Sequence, residues 1–162
     1  WLDDNHGVAA YPLEYVNRPS VIAQIDNMVS INSCVAVDLY GQVAAESAGA
    51  RQISGTGGQL DFLIGASASR GGKAFICMSS VHTDRYGEKH SRIKPQFDGD
   101  IVTSPRSQVY FLATEYGVIN LEGRSTWERA EALISIAHPD FRDMLVREAQ
   151  ERKIWRRSNK RG

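Results

Sequence analysis

Cysteine is scarce in this 162-residue chain: there are two, Cys34 and Cys77, both in apolar, strand-like runs, and no C-x-x-C. That pattern points to buried free thiols in a reducing, cytoplasmic compartment. There is no signal-peptide pattern and no apolar run long enough to cross a bilayer, so no membrane partner is expected. Internal repeats and low-complexity linkers are missing as well. The four histidines do not cluster in the sequence. His82 and His90 flank Asp84 and Glu88, but this spacing fits no standard zinc motif, and no metal is expected. The absence of a G-x-S-x-G elbow argues against a serine hydrolase. Methionine is absent from the first position, which is Trp1, so the chain is expected to lack its true N-terminus.

Net charge is lacking too: 19 basic residues balance 19 acidic ones. The balance is uneven, because six of the basic residues and none of the acidic ones lie between Arg152 and Gly162. We read that stretch as a solvated end beyond the folded body, and no nucleic-acid partner is expected. What remains is globular: 42% hydrophobic and 23% charged residues, enough for one domain with a substantial core.

Along the chain, NRPSVIAQIDN predicts a short helix opened by Pro19. MVSINSCVAVDLYGQVAA predicts two strands with a turn around LYGQ. RQIS is a short strand candidate, and QLDFLIGASAS is either a short helix or extended. Lys73–Ser80 and Ser107–Thr114 read as strands buried on both faces. VHTDRYGEKHSR reads as an exposed loop, and EYGVINLEG as the break after a strand. Ser125 and Glu128 form a capping box for a helix carrying Trp127, Ala130, Leu133, Ile134 and Ala137. Pro139 ends it and opens a second helix with Phe141, Met144, Leu145 and Ala149 on its apolar face. His138 reads as a residue complementing a helix C-terminus. Buried strands interleaved with helices imply an α/β fold.

The glycine cluster SGTGGQLDF, Ser54–Phe62, decides the chemistry. A dinucleotide fingerprint would need glycine where Leu60 stands, and Gly71-Gly72-Lys73 is followed by Ala74, so no P-loop forms either. The cluster is then either a tight turn or a place where backbone N–H groups approach a ligand and hold an oxyanion. Asp61 is positioned to hold the loop by accepting N–H groups. Glu115 ends an apolar strand, where ligands of open α/β sheets bind; pairing with an arginine is the structural alternative. Asn17 precedes the helix opened by Pro19 and is either its cap or a ligand-facing amide. Asn32 interrupts an apolar run, and a buried amide there must be hydrogen-bonded.

Taken in order, YPLEYVNRPSVIAQIDNMVSINS, VDLYGQV, SGTGGQLDF, GASASRGGKAF, SRIKP and ATEYGVINLEGRSTWERAEALISIAHPDFRDML resemble the C-terminal part of the acetyl-CoA hydrolase/transferase family, the class I CoA-transferases. The 4-hydroxybutyrate branch looks closest, from DNMVSINS and SGTGGQLDF. The resemblance implies an open mixed, largely parallel sheet with flanking helices, one half of a CoA-transferase, with residues 1–162 as a C-terminal domain. It implies CoA transfer between a short-chain acyl-CoA and a carboxylate, through a glutamyl-CoA thioester. The family's nucleophilic glutamate lies upstream in a G-x-H-x-E-type segment, which does not occur here. By the same resemblance Glu115 is an accessory active-site carboxylate and Asn17 a side-chain amide near the acyl group. Gly58 is an oxyanion N–H donor, with Gly57 and Gln59 as walls of its loop. Asn32 becomes a buried structural amide and second candidate for substrate contact. No cofactor is implied beyond coenzyme A as substrate. The expected partners are acyl-CoA, a small carboxylate, the protein's own N-terminal domain and further copies in a homo-oligomer. A hydrolase of the same family and a non-catalytic CoA-binding or subunit-association module are the alternatives.

Overall fold

The computed structural model describes residues 1–154. Two single-turn helices, α1 (Leu13–Val16) and α2 (Pro19–Ile22), precede β1 (Val29–Ser33), β2 (Ala36–Asp38), β3 (Val43–Ala44), β4 (Ser47–Ala48) and β5 (Arg51–Gln52). Helix α3 (Gln59–Ala68) leads into β6 (Lys73–Cys77), β7 (Val81–Thr83), β8 (Lys89–Ser91) and β9 (Ile93–Lys94). After β10 (Phe111–Thr114) and β11 (Gly117–Asn120) come α4 (Thr126–Ser135) and α5 (Pro139–Glu151).

The main sheet has the order β1-β6-β10-β11, with the first three strands parallel and β11 antiparallel. This is the mixed, largely parallel α/β sheet expected. Helix α3 is the crossover from β1 to β6, as two parallel neighbours require. Its ambiguous sequence is helical because it packs against β1, β6 and α2. A Cβ on Gly65 would lie 2.6 Å from Ile22 Cβ, so glycine lets α2 pack closely on α3. That contact fixes the chain just after Asn17.

Four predicted elements differ from the observed ones. The stretch from Met28 to Ala45 forms three strands rather than two. It leaves the main sheet after Ser33 and enters a small sheet of order β3-β2-β9. Alternation of apolar residues cannot show where a strand changes partners. The turn itself is where expected: Asp38 Oδ1 accepts the N–H groups of Tyr40 and Gln42 at 3.1 and 2.9 Å. The β6 run is fully buried only at Ala74 and Ile76, because Phe75 and Cys77 are half-buried on the other face. The supposed loop after Ser80 is a hairpin, β7 paired antiparallel with β8. The supposed break after Glu115 is β11, paired with β10. The β7–β8 stretch is mostly polar and carries no apolar alternation, β11 is only four residues long and opens on a glycine, and β10 itself starts only at Phe111.

The two C-terminal helices form as read. Glu128 Oε2 accepts the N–H and the hydroxyl of Ser125, at 2.8 and 2.6 Å. Pro139 occupies the first turn of α5. His138 is the N-cap of that helix, its Nδ1 accepting Asp140 N–H at 3.3 Å, rather than a residue serving the C-terminus of α4. Ala130, Leu133, Leu145 and Ala149 meet Ile76, Leu112 and Leu121 in one core. Each fully buried leucine there contributes on the order of 2 kcal/mol relative to exposure. Both cysteines are free. Burial pushes the Cys34 thiol up to about 12, so it is no nucleophile at neutral pH. Among the described residues, no helix is long and apolar enough to cross a membrane. Most of the basic stretch Arg152–Gly162 lies outside the described residues.

Candidate functional site

The parallel strands β1, β6 and β10 end on one edge, at Ser33, Cys77 and Thr114. A crossover helix runs back against its strands, so α3 begins at that same edge, with Gly58 as its N-cap. Ligands of open α/β sheets bind at such an edge. Glu115 follows Thr114 directly, so the sheet topology brings Glu115 and the glycine loop to the same side of the domain.

Glu115 is exposed but tightly held. Its Oε2 accepts Ser80 N–H at 2.8 Å, and its Oε1 accepts the Ser80 hydroxyl at 2.6 Å. Ser80 itself is fully buried. The partner is thus a serine rather than an arginine. Ser80 is anchored in turn by Arg92 N–H donating to its carbonyl at 2.8 Å. Desolvation pushes the Glu115 carboxyl up. The Ser80 hydroxyl, the N–H groups of Glu115 and Ser80, and nearby His138 together outweigh it and hold the group below its ordinary value. A carboxylate held in this way stays ionised at neutral pH and acts as an acceptor, not as an acid.

Removing the Ser80 hydroxyl tests the grip directly. Ser80→Ala is expected to raise the Glu115 carboxyl pKa, read from its carbon chemical shift in a pH titration. An unchanged midpoint would mean that the hydroxyl does not govern its ionisation. The sign follows from linkage: a depressed carboxylate gives stability above its unfolded-state value, lost as pH falls through the folded one.

Around the glycine loop, Asn17 is the C-cap of α1, while Arg18 caps α2 without a side-chain bond. Asn17 is therefore not the cap of the helix that Pro19 opens. Its side chain lies against the Gly58 Cα, so close that a Cβ on Gly58 would overlap Asn17 Nδ2. Glycine is needed at position 58 for this close approach; at Gly57 it is needed for a φ of +58°. Gly58 has no side chain to cap α3, and the first N–H groups of any helix lack intrahelical partners. The Asn17 amide and the start of α3 thus gather donors at one point, where a helix N-terminus favours negative charge.

Three sequence-based assignments change. Gln59 does not wall the loop with its side chain: it is 9% exposed and donates to Ser104 Oγ at 3.1 Å, inside the protein. Asn32 is not buried; it is half-buried on edge strand β1, beside the exposed Ile31. It borders a 280 Å³ cavity with Phe62. Asp61 stands in the first turn of α3 and makes no hydrogen bond to the loop among the described residues. Two further residues were missed. Ser80 reads as the polar end of an apolar run. Phe62 approaches Gly58 from one helical turn away, its Cδ2 3.7 Å from where a Cβ would stand.

Comparison with known proteins agrees with this architecture. Residues 1–149 match the family described as "Acetyl-CoA hydrolase/transferase C-terminal domain". The chain is 59% identical to a "Probable butyrate:acetyl-CoA coenzyme A-transferase" of Syntrophomonas wolfei, over all of this chain and 36% of the relative. It is 52% identical to a "4-hydroxybutyrate coenzyme A transferase" of Clostridium kluyveri, over 94% of this chain and 35% of the relative. The solved structure of RipA from Yersinia pestis is 44% identical and superposes with a TM-score of 0.81, covering 89% of this chain and 32% of that one. The chain spans about a third of the length of the curated relatives it matches. On its motifs, fold and relatives, the chain belongs to the acetyl-CoA hydrolase/transferase family, and matches the C-terminal domain of its enzymes.

Proposed function

We propose that this domain is the C-terminal half of a CoA-transferase moving CoA between a short-chain acyl-CoA and a carboxylate of the acetate or 4-hydroxybutyrate type. The observation that carries the reading is the contact of the Asn17 amide with the Gly58 backbone at the start of α3. Donors clustered on the edge that also bears an ionised carboxylate suit an acyl oxygen that becomes negative.

The nucleophile is a glutamate carboxylate supplied by a preceding part of the polypeptide. Its oxygen attacks the thioester carbonyl, and Asn17 and the Gly58 N–H take the charge that develops on the carbonyl oxygen. The C–S bond breaks, giving an acyl-glutamyl anhydride and CoA thiolate. The thiolate then attacks the glutamyl carbonyl and expels the acyl group as its carboxylate, leaving glutamyl-CoA. The acceptor carboxylate reverses the two steps. Glu115, fixed by Ser80, orients groups around the reacting carbons without entering a bond.

The names of the relatives at 59% and 52% identity favour a carboxylate over water as the final acceptor. The test incubates the complete protein with butyryl-CoA, with and without acetate. Acetate-dependent formation of acetyl-CoA, and a covalent CoA adduct seen by mass spectrometry, are the expected results. CoA release at the same rate without acetate would establish a hydrolase. No reaction and no adduct would favour a binding module. The 162-residue chain alone is expected to be inactive, and transfer by it would overturn the assignment of the nucleophile.

A further inference from the structure

We propose that the β7–β8 hairpin binds one divalent transition-metal ion of the zinc class through His82, Asp84, Glu88 and His90. The proposal is independent of the CoA-transfer reading. In sequence these residues fit no standard zinc spacing, because the stretch reads as a loop. The hairpin changes that. His82 pairs directly across from His90, and Asp84 N–H donates to Glu88 C=O at 2.9 Å, placing these two opposite each other near the turn. Side chains two residues apart share a face of a strand, so all four lie on one face of the hairpin.

The side chains meet there. Ligand atoms of Asp84, Glu88 and His90 all lie within 4.8 Å of one another. The His82 ring stacks on that of His90, with centroids 5.0 Å apart. A tetrahedral zinc ion with bonds of about 2.1 Å needs ligand atoms about 3.4 Å apart. The cluster reaches that by side-chain rotation, and Glu88 is exposed and able to turn. Asp84 is already oriented: its Oδ1 accepts the N–H groups of Tyr86 and Glu88 at 2.8 and 2.9 Å, leaving Oδ2 toward His90 Nε2 at 3.1 Å. These turn bonds hold the ligand from behind, as outer partners do in metal sites.

The donor set chooses the metal. Two imidazoles with two carboxylates favour zinc and its neighbours over calcium or magnesium, which take oxygen ligands. Two carboxylates also balance the double positive charge. The cleft of 460 Å³ beside the face is lined by Lys89 and Lys94 as well. Both ammonium groups have partners outside the cluster: Lys94 lies 2.8 Å from Asp100 Oδ1, and Lys89 lies 3.5 Å from His138 Nε2. On binding, the ion takes the place of the contact between His90 Nε2 and Asp84 Oδ2.

The experiment is a titration of the complete protein with Co²⁺, read by visible absorption, followed by displacement with Zn²⁺. One equivalent of Co²⁺ is expected, without the intense charge-transfer band that a cysteine ligand would add. His82→Ala and His90→Ala should each weaken binding at least tenfold, while His6→Ala leaves it unchanged. Glu88→Gln, at an exposed position, should weaken binding with the melting temperature of the metal-free protein unaltered, so the test does not depend on the histidine variants folding. Absence of binding at micromolar metal, wild-type affinity in the Glu88 and His90 variants, or a thiolate band from Cys34 or Cys77 would each overturn the proposal.

Discussion

Glu115→Gln is expected to lower turnover of the complete protein by about a hundredfold, the loss typical when a group that positions the reacting atoms is displaced. The substitution keeps the shape and removes the charge. It also damages the grip of Ser80. The carboxylate accepts from both the Ser80 N–H and the Ser80 hydroxyl. A glutamine amide offers only one oxygen and turns its NH₂ toward the other donor. Because Glu115 is exposed, no core packing is lost, and the melting temperature should fall only by the weakened contact with Ser80. The pH profile carries the sharper information. Wild-type Glu115 stays ionised below the ordinary carboxylate range, so any acid limb it causes lies low. Ser80→Ala should move that limb upward, while adding nothing in the Glu115→Gln background. A Glu115→Gln protein with wild-type turnover across the pH range would remove this residue from the active site.

Gly58→Ala is expected to cost about 10²- to 10³-fold in kcat, the loss typical of one oxyanion donor. The effect does not come from backbone strain, since Gly58 has a φ of −95°. It comes from space. The new Cβ would overlap Asn17 Nδ2, so the amide must move away from the loop. Asn17→Ala should produce a loss of similar size by removing the same donor. The double variant should be no worse than either single one, because residues acting as a unit are not additive. KM for acyl-CoA is expected to change less than kcat, as the lost contact matters most when the oxygen is charged. Additive losses, or a Gly58→Ala enzyme of normal kcat, would show that the two residues do not share one oxygen.

Several features were legible in the sequence for definite physical reasons. The capping box and the proline start of α5 are local, and local chemistry sets them. The α/β class follows from buried strand runs interleaved with helical periodicity. The motif series around VNRPS, GTGGQ and TEYG was specific enough to indicate the family. Sequence also suggested Asn17, Gly58 and Glu115 as candidates, each beside an equally reasonable structural role.

Tertiary structure decided between those roles. Asn17 and Gly58 are 41 residues apart in the chain. Only the packing of α2 on Gly65 and the return of α3 across the sheet bring them into contact. Ser80, which holds Glu115, lies 35 residues from it and is brought close by the parallel pairing of β6 with β10. Gln59 could have faced either way until the fold turned it to Ser104. The β7–β8 hairpin was invisible because pairing between strands is a long-range interaction that leaves no apolar period when most of the paired residues are polar. Composition and motifs therefore determined the class and the family of this protein. Which polar groups meet, at what distance and in what state of ionisation, was decided by strand order and helix packing.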